Sequence, residues 1–144
     1  PPHGNRGFGP IRNMYGMDSM AEYLEKADDQ ILVIAHIETI SAVRDLDTIL
    51  EIPGLDGISL GRNDLSGSLN KLGQHKDPEV LEAIDTVITK TVNAGLHLGC
   101  SIGTDLEQVQ EWRAKGMKWF SLGEEIGHIY DGAKAIADEV HGMA

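Results

Sequence analysis

Cysteine, cations, aromatics and long apolar runs are all scarce in this chain, and each shortage excludes something. Among 144 residues there is one cysteine, Cys100. It can form no internal disulfide and leaves no Cys-cluster zinc site, so a reducing, cytoplasmic compartment is expected. Only 12 Lys+Arg stand against 23 Asp+Glu, a net charge of −11. With no basic run, neither nucleic acid nor an anionic membrane surface is an expected partner. Two Trp, three Tyr and two Phe are too few for a stacking platform, and Trp112 and Trp119 read as packing residues. The longest apolar run, residues 31–35, is far too short to span a bilayer. Nothing matches G-x-G-x-x-G or a P-loop. What remains is 41% hydrophobic, enough for a core and too much for a disordered chain.

The apolar residues fall into two alternating kinds of segment. Ile31-Leu32-Val33-Ile34-Ala35-His36-Ile37 is nearly continuous, as a strand buried on both faces should be. Residues 57–61, 96–101 and 117–123 are the other strand candidates, each preceded by a turn or helix-end glycine. Between them lie helical patterns. Residues 19–27 form a short one with Asp18 as its cap. Residues 39–51 space Ala42, Val43, Leu46, Ile49 and Leu50 along one face. Asp77-Pro78-Glu79 gives the next helix a capping acid, a first-turn proline and a further acid. Thr104-Asp105-Leu106-Glu107 reads as a capping box with Thr104 as cap. A last helix covers about residues 126–141. Residues 61–77 are expected to form a long polar loop.

Strict alternation of strands and helices predicts an α/β fold with a parallel sheet. Two architectures compete. A doubly wound sheet usually carries a glycine-rich phosphate loop after its first strand, but here that strand ends His36-Ile37-Glu38-Thr39. A (β/α)8 barrel places its chemistry at the C-terminal strand ends and needs about 250 residues. Four strands make half of one.

Glu38 ends the first strand and Asp64 lies just past the second. If those strands are adjacent and parallel, both carboxylates reach one rim, an arrangement suited to Mg²⁺ or Mn²⁺. The same acids also suit helix starts, where the dipole favours them, and spacing alone leaves both readings open. Gly61-Arg62-Asn63-Asp64-Leu65-Ser66 is rich in groups that hold anions, although a capped turn would use them too. His36 points to the same side of its strand as Glu38. It could meet a ligand, but a lone strand histidine is more often structural. Cys100 has no adjacent base, and Lys118 lies at a strand start, the wrong end of a barrel for a Schiff base.

Three motifs occur in order: Pro1-Pro2-His3-Gly4-Asn5-Arg6-Gly7, then Ala35-His36-Ile37-Glu38-Thr39, then residues 55–66 from Leu55-Asp56-Gly57 through Asn63-Asp64-Leu65-Ser66. Together they resemble the HpcH/HpaI aldolases, metal-dependent class II pyruvate aldolases of the phosphoenolpyruvate/pyruvate superfamily. The resemblance covers essentially the whole chain. It implies a (β/α)8 TIM barrel, with residues 1–144 as the C-terminal half, strands five to eight. It implies that Glu38 and Asp64 bind a divalent cation (Mg²⁺, Mn²⁺ or Co²⁺). It places the backbone of Asn63 and Asp64, with Gly61, at the pyruvate carboxylate. His36 stands where relatives often have Gln, and Arg6 lies near the mouth. Gly61-Arg62-Asn63-Asp64 departs from the commoner Gly-Pro-Ala-Asp. The family's general-base histidine and pyruvate-binding arginine match no residue here, and His3, His75, His97, His128 and His141 are not substitutes.

The implied reaction is reversible aldol cleavage of a 4-hydroxy-2-oxo acid to pyruvate and an aldehyde. Two alternatives stand beside it: a citrate-lyase-like C–C lyase acting on an acyl-CoA, and a catalytically silent half-barrel. The start at Pro1 rather than Met, in mid-barrel, leads to the expectation that this polypeptide needs an N-terminal half-barrel as partner. A homo-oligomer that exchanges its last helix is also implied.

Overall fold

The computed structural model describes Gly16 and residues 19–143, the side chain of Asp28 excepted. It divides into two units, Pro1–Leu32 and Val33–Ala144. The Pro1-to-Gly7 motif, Arg6 and the expected cap Asp18 lie outside the described residues.

In the first unit, helix α1 (Met20–Gln30) is capped by Ser19, whose hydroxyl accepts from the Glu22 N–H at 3.2 Å. It runs three residues past its expected end, and Lys26 pairs with Glu22 one turn back at 2.6 Å. Ile31 closes α1 by donating to the Ala27 carbonyl, so it is not a strand residue.

In the second unit, four strands form one parallel sheet in the order β1 (Ile34–Ile37), β2 (Gly57–Leu60), β3 (His97–Ile102) and β4 (Trp119–Leu122). The first strand starts later than its apolar pattern suggested. Asp56 explains why: its carboxylate takes the Val33 N–H at 2.7 Å, which diverts that donor from a strand ladder. Leu32, Val33 and Ile34 are exposed, which corrects the expectation of a strand buried on both faces.

The register defines the two faces. Ala35 pairs with Ile58 and Ile58 with Leu98; Ile37 pairs with Leu60, Leu60 with Cys100, and Cys100 with Phe120. Ile37, Ile58, Leu60, Leu98 and Cys100 in these rows are buried against a helical layer. That layer includes α2 (Ile40–Arg44), α3 (Leu46–Leu50), α5 (Pro78–Asn93) and α6 (Leu106–Ala114). Val43, Leu46, Val80, Ile84, Val87, Ile88 and Trp112 are among its buried side chains. The alternate rows read Ile34–Gly57–His97, His36–Ser59–Gly99–Trp119 and Ser101–Ser121. They point to the opposite face. There His36, His97, Ser101 and Ser121 are exposed, and the Trp119 ring lies against Gly99, where any Cβ would meet it at 2.1 Å.

Three expectations are corrected. The single helix over 39–51 breaks at Asp45 (ψ 6°) into α2 and α3, with Val43 and Leu46 reaching the core on either side. The segment 61–77 is not simply a loop, because it opens with α4 (Arg62–Ser68). Two serines tie that helix down: Ser66 Oγ donates to the Asn63 carbonyl and Ser68 Oγ to the Leu65 carbonyl, both at 2.7 Å. Ser66 Oγ also accepts the Gly73 N–H, and Ser68 Oγ the Ile40 N–H. The cap of α6 is Asp105, not Thr104, with its carboxylate accepting from the Gln108 N–H at 3.1 Å. Asp77 caps α5 as its sequence suggested. The last helix, α7 (Glu125–Gly142), has no buried residue.

Candidate active site

The candidate site lies where β1 and β2 end. Glu38 directly follows β1, and Gly61 follows β2 and caps α4. The Gly61 N–H donates to the Ile37 carbonyl at 2.9 Å, which extends the ladder one step and sets Gly61 beside Glu38. Glycine is required by closeness rather than by φ. A Cβ at 61 would stand 2.5 Å from His36 Nε2 and 2.7 Å from Glu38 Cβ. The His36 ring therefore leans over the end of β2, with its Nε2 3.2 Å from Glu38 Oε2. Both side chains are nearly half exposed, so the pair adds at most about 1 kcal/mol to stability, and its effect is on geometry.

In the first turn of α4, Asn63 and Asp64 are exposed, and the apolar Leu65 beside them is fully buried. The buried Leu65 and Ser66 anchor the turn and leave the Asn63 and Asp64 side chains free of the core. His36, Glu38, Gly61, Asn63 and Asp64 thus belong to one corner at the C-terminal ends of adjacent parallel strands.

The donor set suits a hard divalent cation in kind. Both acids are oxygen donors, accessible to solvent, and such cations are often held by one or two carboxylates with substrate and water completing the shell. Among the described residues no group of three or more His, Cys, Asp and Glu is arranged to hold a metal. Substrate or water would supply the remaining ligands.

Other residues read from sequence fall where their chemistry is ordinary. Burial pushes the Cys100 thiol up to about 11, against a smaller pull downward from Arg62, so it is no nucleophile. Trp112 is buried in the helical layer. Lys118 sits just before β4, at the far end of the sheet from Glu38. His128 Nε2–H donates to the Leu122 carbonyl at 3.0 Å, bracing the turn into α7. His75 differs somewhat: its Nε2 is buried without a hydrogen-bond partner, and burial, then the Arg62 charge, holds its pKa below the usual value.

The sequence reading missed the part taken by Arg62. Its guanidinium donates to Gln108 Oε1 and lies 5.8 Å from the Trp112 ring centroid, at the edge of cation–π range. Gln108 and Trp112 are four apart on α6, hence on one face. That spacing was the available signal.

The HpcH/HpaI aldolase/citrate lyase model matches residues 1–131. The chain belongs to this family. The HpcH/HpaI chain is 36% identical over 143 residues to a hydroxypyruvate/pyruvate aldolase of Agrobacterium fabrum, covering 99% of itself and 53% of that protein. It is 31% identical over 138 residues to a 4-hydroxy-2-oxo-heptane-1,7-dioate aldolase of Shigella sonnei, covering 95% and 52%. Among solved structures it resembles an HpcH/HpaI aldolase/citrate lyase family protein of Burkholderia cenocepacia. The TM-score is 0.83 at 25% identity, over 97% of this chain and 54% of that one. The chain spans about half the length of the curated relatives it matches.

Proposed function

We propose that the chain forms strands five to eight of a (β/α)8 barrel in a divalent-metal-dependent pyruvate aldolase. Its reaction is reversible cleavage of a 4-hydroxy-2-oxo acid into pyruvate and an aldehyde. The observation that carries this reading is the corner joining Glu38 and the Gly61–Asp64 turn at the C-terminal ends of neighbouring parallel strands. Barrel enzymes place their chemistry at that end.

In this reading Glu38 and Asp64 are the metal carboxylates, and the cation (Mg²⁺, Mn²⁺ or Co²⁺) supplies Lewis-acid polarisation of the bound 2-oxo acid. The chain's other residues bind and orient. The Asn63 and Asp64 backbone with Gly61 receives the pyruvate carboxylate, and His36, over Gly61, borders the same space. Arg6, by resemblance to the family motif, serves the mouth. The general base comes from the N-terminal half of the barrel, which also covers the polar face of the sheet. Without that half the isolated chain is inactive. The exposure of His36, His97, Ser101 and Ser121 supports a missing cover.

A homo-oligomer that exchanges α7 belongs to the same proposal. It is supported by the exposure of Ile126, Ile129, Tyr130, Ile136 and Val140 on a helix with no buried residue. A cytoplasmic location rests on the unpaired Cys100.

The test is pyruvate release from 4-hydroxy-2-oxo acids by the full-length protein, with and without Mn²⁺. Substitution of a residue that merely supports a metal ligand costs about 10–100-fold, so Glu38→Ala and Asp64→Ala should each lose at least that much. Full activity of both variants in chelator would overturn the proposal. Turnover of acyl-CoA thioesters in place of 2-oxo acids would redirect it to the lyase branch.

A further inference from the structure

Arg62 stands where a cation is locally unfavourable. It is the first residue of α4, next to the positive end of the helix dipole and two residues before Asp64. Its side chain does not stay at the rim. It folds back into the helical layer, donates to Gln108 Oε1 and approaches the face of buried Trp112, both on α6. Its charge also registers at Cys100 on β3 and at His75 in the α4–α5 connection. One side chain therefore links the start of α4 to α6.

We propose that Arg62 is a positioning residue: its guanidinium clamps the β2–α4 corner onto α6, so that Asn63 and Asp64 are held at the rim. The inference rests on the reading of Asp64 as a metal carboxylate, but the clamp itself can be measured apart from it. The physical reason for a clamp is the brevity of α4. Seven residues with Gly67, Ser66 and Ser68 hold their shape weakly, and no side chain caps the helix at Gly61. Leu65 and the Ser66 and Ser68 hydroxyls hold the middle and end of the helix, Ser66 reaching back to the Asn63 carbonyl, whereas the residue that opens the helix is held by a charge-assisted bond to Gln108 beside Trp112. Lysine cannot reproduce a planar guanidinium that bonds Gln108 while standing over the Trp112 ring.

The experiment compares wild type, Arg62→Met, Arg62→Lys, Gln108→Leu and the Arg62→Met/Gln108→Leu double variant in the full-length protein. Amide exchange at Leu65 and Ser66, the first bonded amides of α4, is followed without metal, and Mn²⁺ affinity is followed by the metal's own paramagnetic signal. Arg62→Met should speed exchange at Leu65 and Ser66 by about tenfold, the equivalent of losing one charge-assisted hydrogen bond, while α5 keeps its protection. Arg62→Lys should recover only part of that protection. Mn²⁺ affinity should fall by about tenfold, as it does when a residue behind a metal ligand is lost. The Gln108→Leu change should add nothing once Arg62 is Met. Unchanged exchange at Leu65 and Ser66 in Arg62→Met, or fully additive effects of the two changes, would overturn the clamp. Asp64→Ala is the separate control: wild-type Mn²⁺ affinity there would overturn the metal reading, and the exchange data would still decide the clamp.

Discussion

At the scale of single residues, Gly61 is the most constrained position of the candidate site. Its N–H is committed to the Ile37 carbonyl, and the space where a Cβ would stand is filled by His36 and Glu38. Gly61→Ala must therefore push one of them away. The far end of the His36 ring can swing, but Glu38 Cβ is next to the backbone and moves only if the strand end moves. We expect Gly61→Ala to weaken Mn²⁺ binding by about tenfold, because metal sites tolerate little misplacement of their ligands. Paramagnetic titration of the variant measures it, and wild-type affinity would show that the corner has slack. His36→Gln keeps a hydrogen-bonding group beside Glu38, so under the proposed function it should cost far less than His36→Leu in the KM for a 4-hydroxy-2-oxo acid.

At the scale of elements, the α4–α5 connection is strapped by charge. Lys71 Nζ lies 2.7 Å from both Asp77 Oδ1 and Glu79 Oε2, and Asp77 also caps α5. The Lys71 ammonium, first of all, holds the Asp77 carboxyl below its ordinary value of 3.8. A depressed carboxyl stabilises the fold fully above its unfolded pKa, and the contribution fades as pH falls through the folded value. The wild-type melting midpoint should therefore drop between neutral pH and about pH 3 more steeply than that of Asp77→Asn, which keeps a capping group without the charge. Equal slopes would mean that the strap contributes nothing. Thr39→Ala is a second element-scale test. The Thr39 hydroxyl accepts the Ala42 N–H at the start of α2, and its loss should cost about 1 kcal/mol in denaturant unfolding.

At the scale of the molecule, two surfaces are open. The sheet packs its apolar rows on its helices and carries Ile34 and Trp119 among His36, His97, Ser101 and Ser121 on its other face, and parallel sheets are ordinarily covered on both sides. The helix α7 carries Ile126, Ile129, Tyr130 and Ile136 in the open. Removing residues 125–144 should leave the circular dichroism of the sheet and α5 largely intact, since α7 buries nothing in its own chain. Under the proposed exchange of α7 it should also lower the assembly size seen by light scattering, and an unchanged size would overturn that exchange.

Sequence alone determined the alternation of elements, the cap and first turn of α5, and the apolar rows that became the core. These are local: periodicity, a capping acid and a first-turn proline act within a few residues of themselves. The candidate acids Glu38 and Asp64 were also legible, because strand ends in an alternating chain fall at one rim. Tertiary structure decided what depended on distant partners. Asp56 shortened β1 by taking the Val33 N–H from 23 residues away. Ser68, bonded to the Ile40 N–H 28 residues away, and Ser66, bonded to the Gly73 N–H, tie down as a helix a stretch whose composition suggested a loop. Asp105 displaced Thr104 as the α6 cap, a choice between neighbours that composition leaves open. Arg62 found Gln108 and Trp112 across 46 and more residues, where no local rule could place it. A hydrogen bond or ring contact of that kind exists only once the chain has folded around it.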